Sequence, residues 1–295
     1  MKHNSVILVF IDGLGIGARG RSNPFEGLGD VDPIAHFSES RRKCFMDGIV
    51  VPTDPRLGVE GRPQSASGQT TILTGINAPA ALGYHKQGFP NERLRSIISE
   101  HSIFLQLRNA GVLPNVFVNA YSPRFFAEIP RWKSATTCAV EAAGMQFRTF
   151  SDLLAQRALY HDFTNSSLVE SGFDIPSVSS SAAASTLAKF TNPYRFILYE
   201  HFMTDKIGHD RDVEAARRHL PLLAEFVRAL LEFVDLESTT VILTSDHGNI
   251  EDLSVRNHTL NDVPTILWGR NADSVAPDIR DLTDITPAIL RLLTE

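Results

Sequence analysis

The chain has 295 residues, 43% hydrophobic and 21% charged, with 28 Lys and Arg against 34 Asp and Glu for a net charge of −6. This composition is that of a globular protein, and the length predicts one large α/β domain with an insertion, or two domains. The acidic balance and the scattered basic residues provide no positively charged face, so we expect no nucleic-acid partner. Cys44 and Cys138 stand far apart without a metal-binding motif, which favours a reducing compartment.

An apolar run near the N-terminus, residues 6–11, ends at Asp12. It is shorter than the core of about 7–15 residues that a signal peptide needs and the ~20 residues that a membrane span needs. The expectation is a cytoplasmic protein with no membrane partner.

Three apolar runs without polar alternation predict strands buried on both faces of a sheet. Each run ends at or shortly before an aspartate. The runs are residues 6–11 before Asp12, 196–199 before Asp205, and 240–244 before Asp246. A fourth run, residues 263–268, contains Pro264 and is predicted towards an edge of the sheet.

Helical spacing between these runs is clearest over residues 213–234, and residues 284–293 predict a closing helix. The alternation of strands and helices predicts an α/β fold with a doubly wound, mainly parallel sheet and helices on both faces. Residues 85–191 differ, with shorter segments and many Ser and Pro residues. We expect them to form an inserted cap, and residues 1–84 and 192–295 to form the catalytic core.

Acidic residues follow the predicted strands at the position where α/β sheets bind ligands, beyond the carboxyl ends. Asp12, Asp205 and Asp246 would repel one another there unless cations lay among them. The histidines that accompany them are His209, His247 and His258. A set of oxygen and imidazole ligands without thiolates is typical of Mn²⁺, Zn²⁺ or Mg²⁺ sites.

A hydroxyl group suited to nucleophilic attack stands at Ser65, in a polar turn that leads into a predicted helix. The amides at a helix N-terminus bind phosphate oxygens. Coordination to a divalent ion makes a serine alkoxide accessible at neutral pH. Ser67, Thr70 and Thr71 are nearby hydroxyls that residue type alone does not exclude.

Five segments, taken in order, resemble the alkaline phosphatase superfamily, and within it the branch of cofactor-independent phosphoglycerate mutase and phosphopentomutase. The segments are Phe10-Ile-Asp-Gly-Leu-Gly15, Gln64-Ser-Ala-Ser-Gly68, Thr204-Asp-Lys-Ile-Gly-His209, Thr244-Ser-Asp-His-Gly-Asn249 and His258-Thr-Leu-Asn-Asp-Val-Pro264. The resemblance implies two divalent metal ions, with Ser65 as the residue that becomes phosphorylated. One ion would be held by Asp12, Ser65, Asp246 and His247, and the other by Asp205, His209 and His258. Gln69 stands where that branch carries a histidine.

The resemblance implies phosphoryl transfer on a small phosphorylated metabolite, with Mn²⁺ or Zn²⁺ expected ahead of Mg²⁺. Attack by water on the phosphoserine would make the protein a phosphatase, whereas attack by a hydroxyl of the retained substrate would make it a phosphomutase. Basic groups in or near the predicted cap are candidates for holding the substrate. They are Arg124, Arg131, Lys133, Arg148 and His85.

The sequence also suggests other classes of function. Residues 13–18 satisfy a dinucleotide-binding pattern, but a poor helix follows and Asp12 would face the pyrophosphate, which disfavours a nicotinamide enzyme. Ser65 lies outside any Gly-x-Ser-x-Gly elbow, which disfavours a serine hydrolase, and it lacks the proline and arginine signature of sulfatases. The alternative of another class is a metal-binding, non-catalytic homologue whose cap serves as an interaction module.

Overall fold

The computed structural model describes residues 4–29, 31–38, 43–128 and 132–295. Its strands are β1 (Ser5–Ile11), β2 (Lys43–Cys44), β3 (Gly48–Thr53), β4 (Asn115–Phe117), β5 (Ala120–Tyr121), β6 (Arg148–Thr149), β7 (Phe196–His201), β8 (Thr239–Thr244) and β9 (Val263–Gly269). Seven of them form one sheet in the order β2-β3-β9-β8-β1-β7-β4, and β5 pairs with β6.

The helices before β7 are α1 (Ser65–Thr74), α2 (Ala78–Leu82), α3 (Glu92–His101), α4 (Ile103–Asn109), α5 (Pro123–Ala127), α6 (Ala135–Ala142), α7 (Phe150–Leu154), α8 (Ser166–Glu170) and α9 (Ser180–Ala188). Those after β7 are α10 (Met203–Asp210), α11 (Val213–Phe233), α12 (Ala272–Val275) and α13 (Ile285–Thr294). Among the helices described, none is both long and apolar enough to cross a membrane.

The centre of the sheet is parallel, with β1 between β7 and β8 and with β4 beyond β7. All residues of β1, β7 and β8 are buried. Successive side chains of β1 enter two different layers: Ile7 and Val9 pack with α9 and α11, whereas Val6 and Leu8 pack with α1, α3, α4, α6 and α13. This arrangement confirms the predicted α/β fold and explains why these strands carry no polar alternation.

The strand with Pro264 was predicted towards an edge, and this prediction is wrong. β9 runs antiparallel between β8 and β3, and Pro264 faces Pro52 of β3. Neither proline has an N–H to donate, so the two occupy opposed positions that exchange no hydrogen bond. Pro264 also precedes the part of β9 that pairs with β8, so it interrupts no ladder there.

Residues 85–191 contribute to the layers of the main sheet. β4 extends the sheet beyond β7, α9 packs on α11, and α3, α4 and α6 lie in the layer that contains α1. A separate small cluster brings together Ala120, Leu153, Ala158, Leu168 and Ile175. The division into core and cap stays a prediction.

Candidate metal centre

The three aspartates predicted at strand ends lie at one edge of the sheet. Asp12 follows β1, Asp246 follows β8, and Asp205 lies on α10 just after β7. These strands are parallel neighbours, so their carboxyl ends meet at the same edge. The backbone N–H of Asp12 donates to the carbonyl oxygen of His201, 2.9 Å away, which continues the ladder up to the site.

One group of side chains forms around His247, which is fully buried. Its Nε2 lies 3.4 Å from Oδ1 of Asp12 and 3.5 Å from Oδ2 of Asp246. The Oγ of Ser65 is 3.0 Å from the same nitrogen. The structure therefore brings together the four residues that the resemblance assigned to one metal ion.

A second group forms around Asp205. Its Oδ2 lies 3.3 Å from Nε2 of His209, and its Oδ1 lies 3.5 Å from Nε2 of His258. Asp205 and His209 are one helical turn apart on α10, which puts them on the same face. Asp205 also belongs to the first group, because its ligand atom lies within 4.8 Å of those of Asp12 and His247. The two groups thus share a carboxylate and form one centre.

Two glycines allow the elements to approach this closely. Gly13 has a φ of +72°, and a Cβ there would lie 2.9 Å from the Cα and the side chain of Asp205. A Cβ at Gly68 would lie 2.9 Å from the Cβ and the carbonyl oxygen of Asp246. The first residue of α1, Ser65, reaches the strand ends because Gly68 lets the helix contact Asp246 directly.

The centre concentrates negative charge in a buried space. Burial and the charge of Asp246 raise the pKa of Asp12 well above its usual value, and burial and the charge of Asp205 do the same for Asp246. Burial lowers the pKa of His247 to about 3, so this imidazole is neutral. Oδ1 of Asp12 and Oδ1 of Asp246 are buried and accept no hydrogen bond within the described part of the chain. Such oxygens fit a cation.

Gln69 stands at the position where the branch of phosphoglycerate mutase and phosphopentomutase that the sequence resembles carries a histidine. Its side-chain amide contacts the carboxylates of Asp12 and Asp246 directly. Its Nε2 donates to Oδ2 of Asp246 at 3.2 Å and to Oδ2 of Asp12 at 3.4 Å. Gln69 is buried in α1, four residues after Ser65. The amide therefore offsets part of the charge of both aspartates.

Glu251 is a buried carboxylate that the sequence analysis missed. It accepts hydrogen bonds from the backbone N–H groups of Gly15 at 3.0 Å and Asn249 at 2.8 Å, from Nδ2 of Asn261 at 3.0 Å and from the hydroxyl of Thr259. These contacts join the loops after β1 and β8 to the loop before β9. The sequence contains no motif for this role. The one available signal was that Glu251 lies in the same loop as Asp246, His247 and His258.

The basic groups predicted to hold the substrate lie farther apart than the candidate metal ligands do. The side chain of Arg124 is 82% exposed and pairs with Glu128. Arg148 donates to the hydroxyl of Tyr194, which precedes β7, whereas the candidate metal ligands follow that strand. Arg131 lies outside the described residues. The structure therefore does not bring Arg124 or Arg148 to the carboxylates.

Lys133 lies near the end of β4, and His85 precedes Lys86, whose backbone N–H donates to Ser67 in the first turn of α1. Lys133 donates to both carboxylate oxygens of Glu141, at 2.7 and 2.9 Å. Nε2 of His85 is 3.2 Å from the carbonyl oxygen of Val59. Their proposed contact with a substrate remains a prediction.

Comparisons with known proteins find a matching family model and curated relatives. Residues 161–294 match the family model of the Metalloenzyme superfamily. The 2,3-bisphosphoglycerate-independent phosphoglycerate mutase of Ehrlichia ruminantium (strain Gardel) is 28% identical over 128 residues, which cover 40% of this chain and 25% of that protein. The enzyme of the same name from Mycoplasma genitalium is 28% identical over 124 residues, covering 40% and 24%. The match therefore spans about a quarter of the length of these curated relatives.

Solved structures resemble the chain over nearly its full length. The alkaline phosphatase from the Antarctic bacterium TAB5 has a TM-score of 0.51 and 15% identity, covering 99% of this chain and 98% of that one. The PH0037 protein from Pyrococcus horikoshii has a TM-score of 0.57 and 12% identity, with the same coverage. At these identities the likeness shows the fold.

Proposed function

We propose that this chain belongs to the alkaline phosphatase superfamily of metalloenzymes and transfers phosphoryl groups from small phosphorylated metabolites at a site for two divalent ions. The observation that carries the proposal is the pair of ligand groups that share Asp205, with the hydroxyl of Ser65 at 3.0 Å from His247. A nucleophile beside two adjacent cation sites is the arrangement that phosphoryl transfer requires.

The donor chemistry supports a particular class of ions. Asp12, Ser65, Asp246 and His247 would hold one, and Asp205, His209 and His258 the other. Carboxylate and imidazole donors without thiolates suit Mn²⁺ or Zn²⁺, and Mg²⁺ less well. When bound, such ions lower the pKa of a coordinated hydroxyl and offset the charge of the transferring group.

The residues of the chain supply the rest of the reaction. The Oγ of Ser65 forms a bond to phosphorus as the bond between phosphorus and the ester oxygen breaks, and the substrate alcohol leaves with a proton. Ser65 opens α1, so the N–H groups of the first helical turn favour the phosphate oxygens. The phosphoserine is then cleaved by water, which gives inorganic phosphate, or by a second hydroxyl of the same substrate, which gives an isomer.

Of the basic candidates that the structure describes, Lys133 lines a cleft at the end of β4. Trp132 and Lys133 line a cleft with Asn119 and Phe202, and Phe202 immediately precedes α10. We propose that the cleft, rather than Arg124 or Arg148, contacts the substrate.

The test is ³¹P NMR of the Mn²⁺-loaded protein with a panel of phosphorylated sugars, acids and nucleosides, beside Ser65→Ala. Release of phosphate by the wild type alone would support a phosphatase, and a shifted ester resonance without free phosphate would support a mutase. Activity retained by Ser65→Ala would contradict the assigned nucleophile. Two bound ions with no phosphotransfer to any ester would favour the alternative, a non-catalytic homologue that acts as an interaction module.

A further inference from the structure

A cleft of about 290 Å³ opens at the carboxyl ends of β4 and β7, and its lining includes Phe202, which immediately precedes the helix that carries Asp205. We call it the aromatic pocket, after the rings that line it. They belong to Phe117, Tyr121, Phe125, Trp132, Tyr160, His161 and Phe202. Its volume is at the lower end of small-molecule sites, which start at roughly 300 Å³, and it suits one ring-bearing group of nucleoside size.

One loop contacts both the aromatic pocket and the first turn of the helix that carries the nucleophile. The ring of Trp132 stacks on Phe89, with centroids 6.2 Å apart and planes inclined by 18°. In the same loop as Phe89, the backbone N–H of Lys86 donates to Oγ of Ser67 at 3.1 Å, and the N–H of Ser67 donates to the carbonyl oxygen of Lys86 at 3.3 Å. Ser67 lies in the first turn of α1, two residues after Ser65. The loop therefore connects the mouth of the pocket to the nucleophile.

The opposite wall of the pocket connects to the metal ligands. Phe202 immediately precedes α10, which carries Asp205. Glu200, one residue before the end of β7, lines the pocket, and the carbonyl oxygen of the next residue, His201, accepts a hydrogen bond from the backbone N–H of Asp12 at 2.9 Å. A substrate with its phosphate at Ser65 would therefore have its alcohol part directed towards these rings.

The polar groups of the pocket carry little free charge. Lys133 is paired with both oxygens of Glu141. Glu200 is buried and accepts a hydrogen bond from the hydroxyl of Thr136, and burial raises its pKa to about 8, so it is mostly protonated at neutral pH. A second phosphate or a carboxylate would find no unpaired cation among the described lining residues. An uncharged planar ring would find stacking surfaces and hydrogen-bonding groups.

We propose that the aromatic pocket binds the alcohol part of the phosphate ester, and that this part carries an uncharged aromatic ring of the kind found in nucleoside monophosphates. The inference rests on the proposed phosphoryl transfer and narrows its substrate class. Stacking on Trp132, at the mouth of the pocket, supplies the discrimination between esters with and without a ring.

The experiment compares adenosine 5′-monophosphate with ribose 5-phosphate, which share the same type of ester bond, on the Mn²⁺-loaded protein. We expect kcat/KM to be at least about tenfold higher for the nucleotide, a typical effect of one stacked base. The ratio of the two kcat/KM values should fall about tenfold in Trp132→Ala and be largely restored in Trp132→Phe. Phe233→Ala removes an exposed ring at the far end of α11 and should leave the ratio unchanged.

Binding of adenosine, measured by calorimetry, separates this inference from the proposed function. Adenosine binding that Trp132→Ala abolishes, without turnover of either ester, would support the pocket and overturn the phosphoryl transfer. Equal turnover of both esters without adenosine binding would overturn the pocket and leave the transfer standing. A preference for the nucleotide that Trp132→Ala does not change would also overturn the pocket. Absence of both binding and turnover would overturn both.

Discussion

The Oγ of Ser65 lies 3.0 Å from Nε2 of His247, although 182 positions of the chain separate them. Ser65 opens α1, and His247 follows β8. Their approach depends on the contact between α1 and the end of β8, where Gly68 meets Asp246. The site geometry is therefore set by a packing distance between a helix and a strand end.

Gly68→Ala should disturb that distance. The added methyl group would lie 2.9 Å from the carbonyl oxygen of Asp246. The Cβ atoms of folded proteins do not approach other heavy atoms this closely, so α1 must shift. We expect a loss of stability of about 1–3 kcal/mol and, because Ser65 moves with the helix, a fall in kcat/KM on the order of a hundredfold. Urea unfolding and steady-state kinetics measure the two effects. Gly29→Ala is the control, since its methyl meets no atom of the described residues within 4 Å; equal kinetics for both variants would contradict the expected shift of α1.

The shared position of Asp205 predicts how metal stoichiometry responds to substitution. His209 belongs only to the second group, so His209→Ala should lose one ion per chain and keep the other. Asp205 belongs to both groups, so Asp205→Asn should weaken the binding of both ions. Elemental analysis after gel filtration gives the number of ions. His101→Ala removes an exposed histidine on α3 and should retain the wild-type number; one retained ion in Asp205→Asn would show that Asp205 serves a single site.

The sequence predicted the parts of the site that follow from strand ends. β1, β7 and β8 were recognisable because buried parallel strands lack polar alternation, and the residues after them converge for the same reason. β4 has only three residues and follows Pro114, so it leaves no periodic signal. The contacts of Gln69 depend on how α1 packs against the strand ends, which sequence spacing does not specify. Arg148 was expected near the substrate because of its charge; in the structure it donates to the hydroxyl of Tyr194, and its contact with a substrate stays a prediction.

Gln69→Leu tests whether the amide compensates the carboxylates. Without its Nε2, Asp12 and Asp246 lose a shared donor, and in the metal-free protein we expect a loss of stability of about 1–3 kcal/mol. Bound Mn²⁺ would offset the same charges, so the loss should be smaller when the site is loaded. Unfolding in urea is measured with a chelator and with Mn²⁺. An identical loss under both conditions would assign Gln69 to the packing of α1 alone.

Glu200→Gln should make the protein more stable, and increasingly so as the pH rises. The carboxyl group is buried, accepts a hydrogen bond from Thr136, and has its pKa raised by burial to about 8. A pKa that is higher in the folded than in the unfolded chain means that the folded protein holds the proton more tightly. Stability is therefore lost as the pH rises from the unfolded pKa of about 4.5 towards 8, and the uncharged glutamine avoids that loss.

The measurement is the difference in unfolding free energy between Glu200→Gln and the wild type at pH 5.5 and pH 8.5, both with a chelator. The change in this difference reports Glu200 together with the groups on which its charge acts, among them Asp12, and we expect it to grow by on the order of 3 kcal/mol. Glu237→Gln, at an exposed position before β8, is the control, because it removes a carboxylate that is not buried. A difference that is the same at both pH values would mean that Glu200 is ionised in the folded protein throughout. The wall of the aromatic pocket would then carry a negative charge, and an uncharged ring would no longer be the ligand that it favours.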